Sequence, residues 1–412
     1  MAHKFDVVVV GAALNGLAVA LALAGPKARR ALSVAVVDII DPWARVAQTG
    51  DARASALTSS TQSMFAAMGV WDHIALQTQV MQDIIVTDSN GHPGERPVLL
   101  QFGDADQGQN AKARMVENHV LLQGLLHTVE QSNHITLFAG RAVTAQQFEP
   151  GLASLSLADG TQLTASLIVA ADGAKSAIRQ AANISLVGWT YDQMGLVVSF
   201  DHALPHYGRA AEHFTASGPF AVLPLTGKRS SIVWTKETPE AKKLVALAPA
   251  DFEQELQAQL GMHLGKISVI GTPQAYPLSM LIAKAFHGPR LALVGDAAHV
   301  IHPLAGLGLN LGYRDAAALA ECVSDAFALG EDIGGMAVLE RYTEWRRFDT
   351  VATAAAMDGF NRLFSNSQPL LKIIRDFGLS ATNRMTGLKS AFEREAAGQT
   401  GDLPRLLRGE AL

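Results

Sequence analysis

The run Lys4–Val10 (KFDVVVV) leads directly into Gly11–Gly16 (GAALNG) and then into an alanine-rich stretch that ends near Ala24. A short β-branched run without polar alternation predicts a strand buried on both faces. The alanine-rich stretch has helix-forming composition. A second β-rich run, Leu32–Val37, ends in Asp38. Strand, glycine turn, helix and strand make a βαβ unit, and its parallel strands need helices to cover them. This feature commits the chain to an α/β fold. The segment Val7–Pro26 is 20 residues without a charge, near the length of a membrane span. Asp6 before it, Gly11, Asn15 and Gly16 within it, and Gly25-Pro26 at its end argue against a span or a targeting signal.

The 412 residues allow two to three domains at roughly 150 residues each. With 49% apolar and 17% charged residues, the chain is neither disordered nor a coiled coil. A net charge of −5 offers no attraction for nucleic acid. The single cysteine, Cys322, excludes an intrachain disulfide and a Cys-Cys redox pair. It fits a reducing cytoplasm.

Further along, helices are expected over Ser55–Val70, Asn118–Glu130 and Pro249–Leu260. Between Trp189 and Ile270 the texture alternates, in GLVVSF, PFAVLPL and SSIVWTK, which predicts an antiparallel sheet. Leu291–Val294 returns to a buried strand that should rejoin the first sheet, making the second domain an insertion. Most of Leu309–Gly398 reads as helix. The expected architecture is therefore α/β: a Rossmann-like dinucleotide-binding domain (1–75, 111–182 and 276–360), an inserted antiparallel-sheet substrate domain (76–110 and 183–275) and a helical C-terminal region (361–412).

Three motifs carry chemistry. At Gly11–Gly16, unpaired N–H groups and the helix dipole favour a diphosphate. Ala13 takes the middle place of G-x-G-x-x-G. Asp38 lies 22 residues beyond Gly16, where an acid meets a ribose hydroxyl. This turn alone does not separate NAD from FAD. In LIVAADGAKSAIR, Leu167–Arg179, Asp172 follows a buried strand and could simply cap the next helix. In Arg290–Ala316, a strand delivers Gly295 and Asp296 to its carboxyl end, where open α/β sheets bind ligands. Asp296 suits a polyol chain. Gly306 and Gly308 begin a helix whose N–H groups suit an electron-rich ring edge. His299 with His302, and His202 with His206 across Pro205, lack a metal-site pattern, so no metal is expected.

Together, GAALNG with Asp38, DARASALTSS with Arg53, DGAKSAIR and GDAAHVIHPLAGLGLN resemble the flavin-dependent aromatic hydroxylases of the para-hydroxybenzoate hydroxylase fold. Within that group the chain resembles the ubiquinone-biosynthesis hydroxylases, through MVENHVL, WTYDQ, EHFTASGPFAVLPL, SIVWT and LFSN. The resemblance implies an FAD diphosphate held by Gly11, Ala12, Ala13, Asn15 and Gly16, with the adenosine ribose on Asp38. It places Arg53 near the cofactor and Asp172 in a motif shared between FAD and nicotinamide functions. Gly295 and Asp296 would meet the ribityl chain, and Pro303, Gly306, Leu307, Gly308, Leu309 and Asn310 would run along the flavin ring. FAD, reduced by NAD(P)H or a protein electron donor, would react with molecular oxygen to give a C4a-hydroperoxyflavin. An electron-rich phenol would take the distal oxygen, with no side-chain base assigned.

The implied substrate is a hydrophobic polyprenyl-phenol of ubiquinone biosynthesis. Phe220, Val222, Leu223, Pro224 and Trp234, on alternating segments, are expected to border it. Such a substrate suggests a cytoplasmic protein that works at the inner membrane face or in a biosynthetic complex. Apolar Leu370, Leu371, Ile374 and Phe377 beside Lys372 and Arg375 offer a peripheral membrane or partner face, with ordinary core or dimer packing as the simpler reading. A prenyl or quinone reductase and a non-catalytic flavoprotein subunit are the alternative functions. Ala13, His119 (often arginine in relatives) and Leu307 (often glutamine) depart from the family pattern.

Overall fold

The computed structural model describes residues 2–47, 53–88, 98–102, 113–215, 217–301, 307–364 and 398–412. Val7, Val8 and Val9 are at most 1% exposed, as a strand covered on both faces must be. Their strand, Ala2–Val10, runs parallel to Val34–Val37 on one side and to Gln162–Ala170 on the other. Leu291–Leu293 pairs in parallel with Gln162–Ala170, and Ile135–Phe138 with Val34–Val37. The strand near 291 therefore does rejoin the first sheet after a long excursion. The helix Leu14–Ala24, buried from Gly16 onward, packs against the helices Asn118–Glu130 and Leu307–Leu329.

The second sheet is ordered 299–300, 267–283, 186–202, 229–237, 218–225, 209–215, 83–88, 98–102. Its pairs are antiparallel except that Arg209–Thr215 runs parallel to Asp83–Asp88. Leu186–His202 and Ile267–Ala283, each 17 residues long, lie side by side. The helices Thr238–Val245 and Pro249–Leu260 cover one face of this sheet.

One expected helix is shorter than its sequence suggests. Ala54–Leu57 is a strand, paired antiparallel with Arg114–Glu117. Thr58 then caps the helix Ser59–Met68 by accepting the Thr61 N–H, and Gly69 ends it in the left-handed region at φ 87°. Tertiary pairing overrides helix propensity over Ser55–Leu57. The helices Asn118–Glu130 and Pro249–Leu260 have the expected bounds. Among the described residues, the part of the chain after Ile301 is mainly helical, in Leu307–Leu329 and Met336–Phe364. Leu406 and Leu407 then return to the first core. Leu370, Leu371, Lys372, Ile374, Arg375 and Phe377 lie outside the described residues. No described helix is long and apolar enough to cross a membrane.

Candidate active site

The site grows from the carboxyl ends of the first sheet. Gly11 sits at φ +112°, and a Cβ there would lie 2.3 Å from the Ala171 carbonyl oxygen. Glycine alone fits that approach. A Cβ on Gly16 would stand 1.8 Å from the Gly11 carbonyl oxygen, so this position sets how closely the helix meets the strand. Ala13 is extended (φ −98°, ψ −171°), a conformation that alanine adopts freely. Its departure from glycine therefore brings no backbone strain. No side chain caps the helix Leu14–Ala24 at its start, which leaves main-chain donors for an anion.

Asp38 fastens this turn. Its Oδ2 accepts the Ala12 N–H at 2.7 Å, and its Oδ1 accepts the Ile40 N–H at 2.8 Å and Arg45 Nη2 at 3.2 Å. Three of the roughly four acceptor positions of a carboxylate are used, which leaves room on Oδ2.

On the neighbouring strand end, the Gly295 N–H donates to Asp315 Oδ2 at 3.1 Å. Asp315 also accepts His299 Nε2 at 2.5 Å and Arg346 Nε at 2.9 Å, and Arg346 Nη1 reaches Asp349 at 2.5 Å. Asp315, His299 and Arg346 are nearly sealed from solvent. Burial works against the Asp315 charge, but His299 and Arg346 outweigh it and hold the carboxyl below the ordinary range. Arg179 adds a second tie by donating to the carbonyls of Ala297 (2.9 Å) and Ala174 (2.9 Å). It thus joins the DGAKSAIR segment to Gly295–Ala297. Neither the Asp315 cluster nor this use of Arg179 was foreseen, because no local spacing marks partners 31 and 118 residues apart.

This scaffold leaves Asp296 open to solvent on one side and ringed by protein elsewhere. Burial pushes its pKa up, while His299 and Arg53 pull it back. The Arg53 guanidinium also lies 5.6 Å from the centre of the Tyr276 ring, linking the residue before the strand Ala54–Leu57 to the second sheet. Asp172 Oδ2 accepts the Ile178 N–H at 3.3 Å and so takes one first-turn amide of the helix Ala177–Ala181, whose N-cap is Ser176. Asp172 Oδ1 and Asn15 Oδ1 are buried without a partner among the described residues. Asn15 lies against Gly295 and Gly312, where added Cβ atoms would meet its Nδ2 at 2.2 and 2.6 Å. Its side chain is thus a wedge between three segments.

Asn310 also turns inward. It accepts the Thr58 N–H at 3.1 Å and the Thr61 hydroxyl at 2.8 Å, and donates to the Ala56 carbonyl at 2.7 Å. Its side chain ties the first turn of the helix Leu307–Leu329 to Ala56, Thr58 and Thr61. Leu309 packs on the first core, while a Cβ on Gly308 would approach, among the described residues, only Ile301, at 3.7 Å. Leu307 opens that helix, and Pro303 and Gly306 lie outside the described residues. His119, half-buried, stands in the first turn of the helix Asn118–Glu130, whose Asn118 N–H donates to the Arg53 carbonyl. Among the described residues, no cluster of His, Cys, Asp and Glu suits a metal ion.

The second sheet has two unlike faces, and here the sequence-based substrate set needs correction. Phe220, Val222 and Trp234 belong to the core beneath the helices Thr238–Val245 and Pro249–Leu260, with Phe220 and Trp234 edge to face at 5.4 Å. Pro224 shares their parity along the strand. These side chains are turned away from the cofactor side. Leu223 is the exception, packed with Ala54, Ala56, Ala210, Met81 and Met115 on the inner face. In strands the face alternates with each residue, so apolar type alone does not choose it.

The FAD binding domain family matches residues 4–356. The chain belongs to this family. It is 38% identical over 410 residues to the ubiquinone hydroxylase UbiL of Rhodospirillum rubrum, covering 99% of this chain and 93% of that protein. It is 33% identical over 401 residues to the 3-demethoxyubiquinol 3-hydroxylase of Escherichia coli, covering 95% and 98%. The crystal structure of p-nitrophenol 4-monooxygenase PnpA from Pseudomonas putida has the same fold, with a TM-score of 0.78 at 18% identity, over 97% of this chain and 99% of that one. This flavoprotein is thus an FAD-dependent aromatic-ring monooxygenase. The residues fit the cofactor: an uncapped helix start suits its diphosphate, Asp38 and the accessible Asp296 suit its hydroxyls, and two buried oxygens await donors.

Proposed function

We propose that the enzyme hydroxylates the ring of a prenylated phenol on the route to ubiquinone. The observation that carries this reading is the inner face of the second sheet. Cross-strand pairing puts Val197, Val233, Ala221 and Leu223 on that face, opposite the helices, while Tyr276 under Arg53 connects it to the cofactor cradle. An apolar wall beside a flavin site suits a lipophilic aromatic ring and keeps water from it. The similarity to two ubiquinone-pathway hydroxylases supports the same substrate class.

Gly11–Gly16 and Asp38 would hold the FAD diphosphate and adenosine ribose, Asp296 the ribityl hydroxyls, and the start of the helix Leu307–Leu329 the ring edge. When bound, FAD supplies the activation of oxygen. The chain's own contribution is placement. Asp315, His299 and Arg346 fix the loop that carries Asp296, and Asn310 fixes the helix start. A nicotinamide or a protein electron donor provides reducing equivalents. A prenylated substrate partitions into lipid, so the enzyme would collect it at a membrane surface or from a biosynthetic complex.

The test is oxygen uptake by the FAD-loaded protein with NAD(P)H and a prenylated phenol, with product mass read in parallel. Substrate-dependent uptake and a product one oxygen atom heavier are expected. Consumption of reductant with a saturated prenyl chain or a reduced quinone, and no added oxygen, would replace this reading with a reductase.

A further inference from the structure

On the strand Arg209–Thr215, Ala211 enters the outer core, and His213 stacks on Phe220 of that same core. Ala210 points the other way, into the cluster with Ala54, Ala56 and Met115. Alternation therefore puts Glu212 on the inner face, two residues and roughly 7 Å beyond Ala210. Its cross-strand neighbours are Ala221 and Val86. From Ala210, on the same strand and face, contacts run toward the helix start: Ala210 clusters with Ala56, whose carbonyl accepts the Asn310 side-chain N–H.

Glu212 is only partly accessible, and among the described residues nothing donates to its carboxyl. The charged groups around it have their own partners. Arg209 binds Asp83 at 2.8 Å, Arg229 binds Glu117 at 2.7 Å, Arg114 donates to Thr78 at 3.1 Å, and His213 Nδ1 meets Thr87 at 2.6 Å. Arg53 lies over Tyr276, four strands away across the sheet. An unpaired carboxyl on an apolar wall is costly unless a ligand uses it.

We propose that Glu212 is the catalytic base that accepts the hydrogen bond of the substrate's phenolic hydroxyl and takes its proton as the ring is oxygenated. The bond broken is the phenolic O–H and the bond formed is a carboxyl O–H. The electron pair left on oxygen enriches the ring carbon that is attacked, and the proton later returns to solvent. No redox change occurs at Glu212. The assignment rests on the aromatic hydroxylation proposed above. Burial raises the Glu212 pKa to about 7, which matches a base working near neutral pH.

Glu212→Gln keeps the shape and removes the base, and Glu212→Asp keeps the acid on a shorter stem. In the wild type, kcat/KM should rise with pH through an apparent pKa near 7. Glu212→Gln should lose that limb and about 10²–10⁴ in rate. Glu212→Asp should keep the limb at reduced rate. Calorimetric binding of a simple prenylated phenol to the FAD-loaded protein gives a readout apart from turnover. Affinity should rise through the same pH range in the wild type and stay flat in Glu212→Gln. The corresponding methyl ether, with no proton to give, should bind both proteins alike at every pH. An unchanged pH profile and a rate within threefold in Glu212→Gln would overturn the assignment while leaving hydroxylation intact. If the wild type hydroxylates no phenol, the functional reading fails, and pH-independent phenol binding would then overturn the role of Glu212 separately.

Discussion

The cofactor cradle and the substrate wall are specified in different ways. At the glycine turn of the cradle, position is set largely within the first βαβ unit. Gly11 ends a buried strand at a positive φ, Gly16 lets the helix approach, and Asp38 closes the next strand onto Ala12. On the wall, a residue's role follows from strand register. Leu223 and Phe220 share one strand yet serve opposite faces. A one-residue slip in pairing would exchange those faces, whereas nothing comparable can happen at the glycine turn.

The largest effect is expected where local geometry leaves no slack. Gly16→Val puts branched carbon where a Cβ would already lie 1.8 Å from the Gly11 carbonyl oxygen. Backbone cannot yield there without parting helix from strand. The variant should purify without FAD, resist reconstitution and lose its cooperative thermal transition. Retained FAD bands would show the turn to be more plastic than the comparison holds.

Next is the cluster behind the cradle. Asp315→Asn strips His299 and Arg346 of their shared partner in a sealed site. Breaking a buried pair in this way costs about 3–5 kcal/mol. The pH dependence has a definite sign. The folded pKa of Asp315 is depressed from 3.8, so its stabilisation is complete above that value and is lost as pH falls through the folded value. Urea unfolding of the wild type across this acid range should therefore show a slope that Asp315→Asn lacks. An equal slope in both proteins would remove Asp315 as its source.

The same division explains what could be read without a structure. The strands at Val7 and Leu291, the helix Asn118–Glu130 and the strand–turn–helix at Gly11–Gly16 were legible because burial, periodicity and turn chemistry act over a few residues. Ser55–Leu57 was mistaken for helix because the partner of its strand, Arg114–Glu117, is about sixty residues away in sequence. Phe220, Val222 and Trp234 were assigned to the substrate because both faces of that sheet are apolar, so alternation showed a strand without showing which side faced the flavin. Glu212 was present in a matched segment but had no role. Its meaning depends on an environment assembled from four strands.

The smallest effects separate the two faces most cleanly. Phe220→Leu keeps an apolar side chain in the outer core and should cost on the order of 1–2 kcal/mol, with KM for the phenol unchanged. Leu223→Ala, on the inner face, removes contact with the substrate side and should raise KM about tenfold for a prenylated phenol. A short-chain phenol should feel the change less, since a smaller ligand covers less of the wall. Parallel unfolding and steady-state measurements would place each variant on a plane of stability against KM. If Phe220→Leu moved KM while Leu223→Ala moved only stability, the faces would be reversed, and Glu212, whose parity follows Ala210 and Leu223, would leave the substrate side with them.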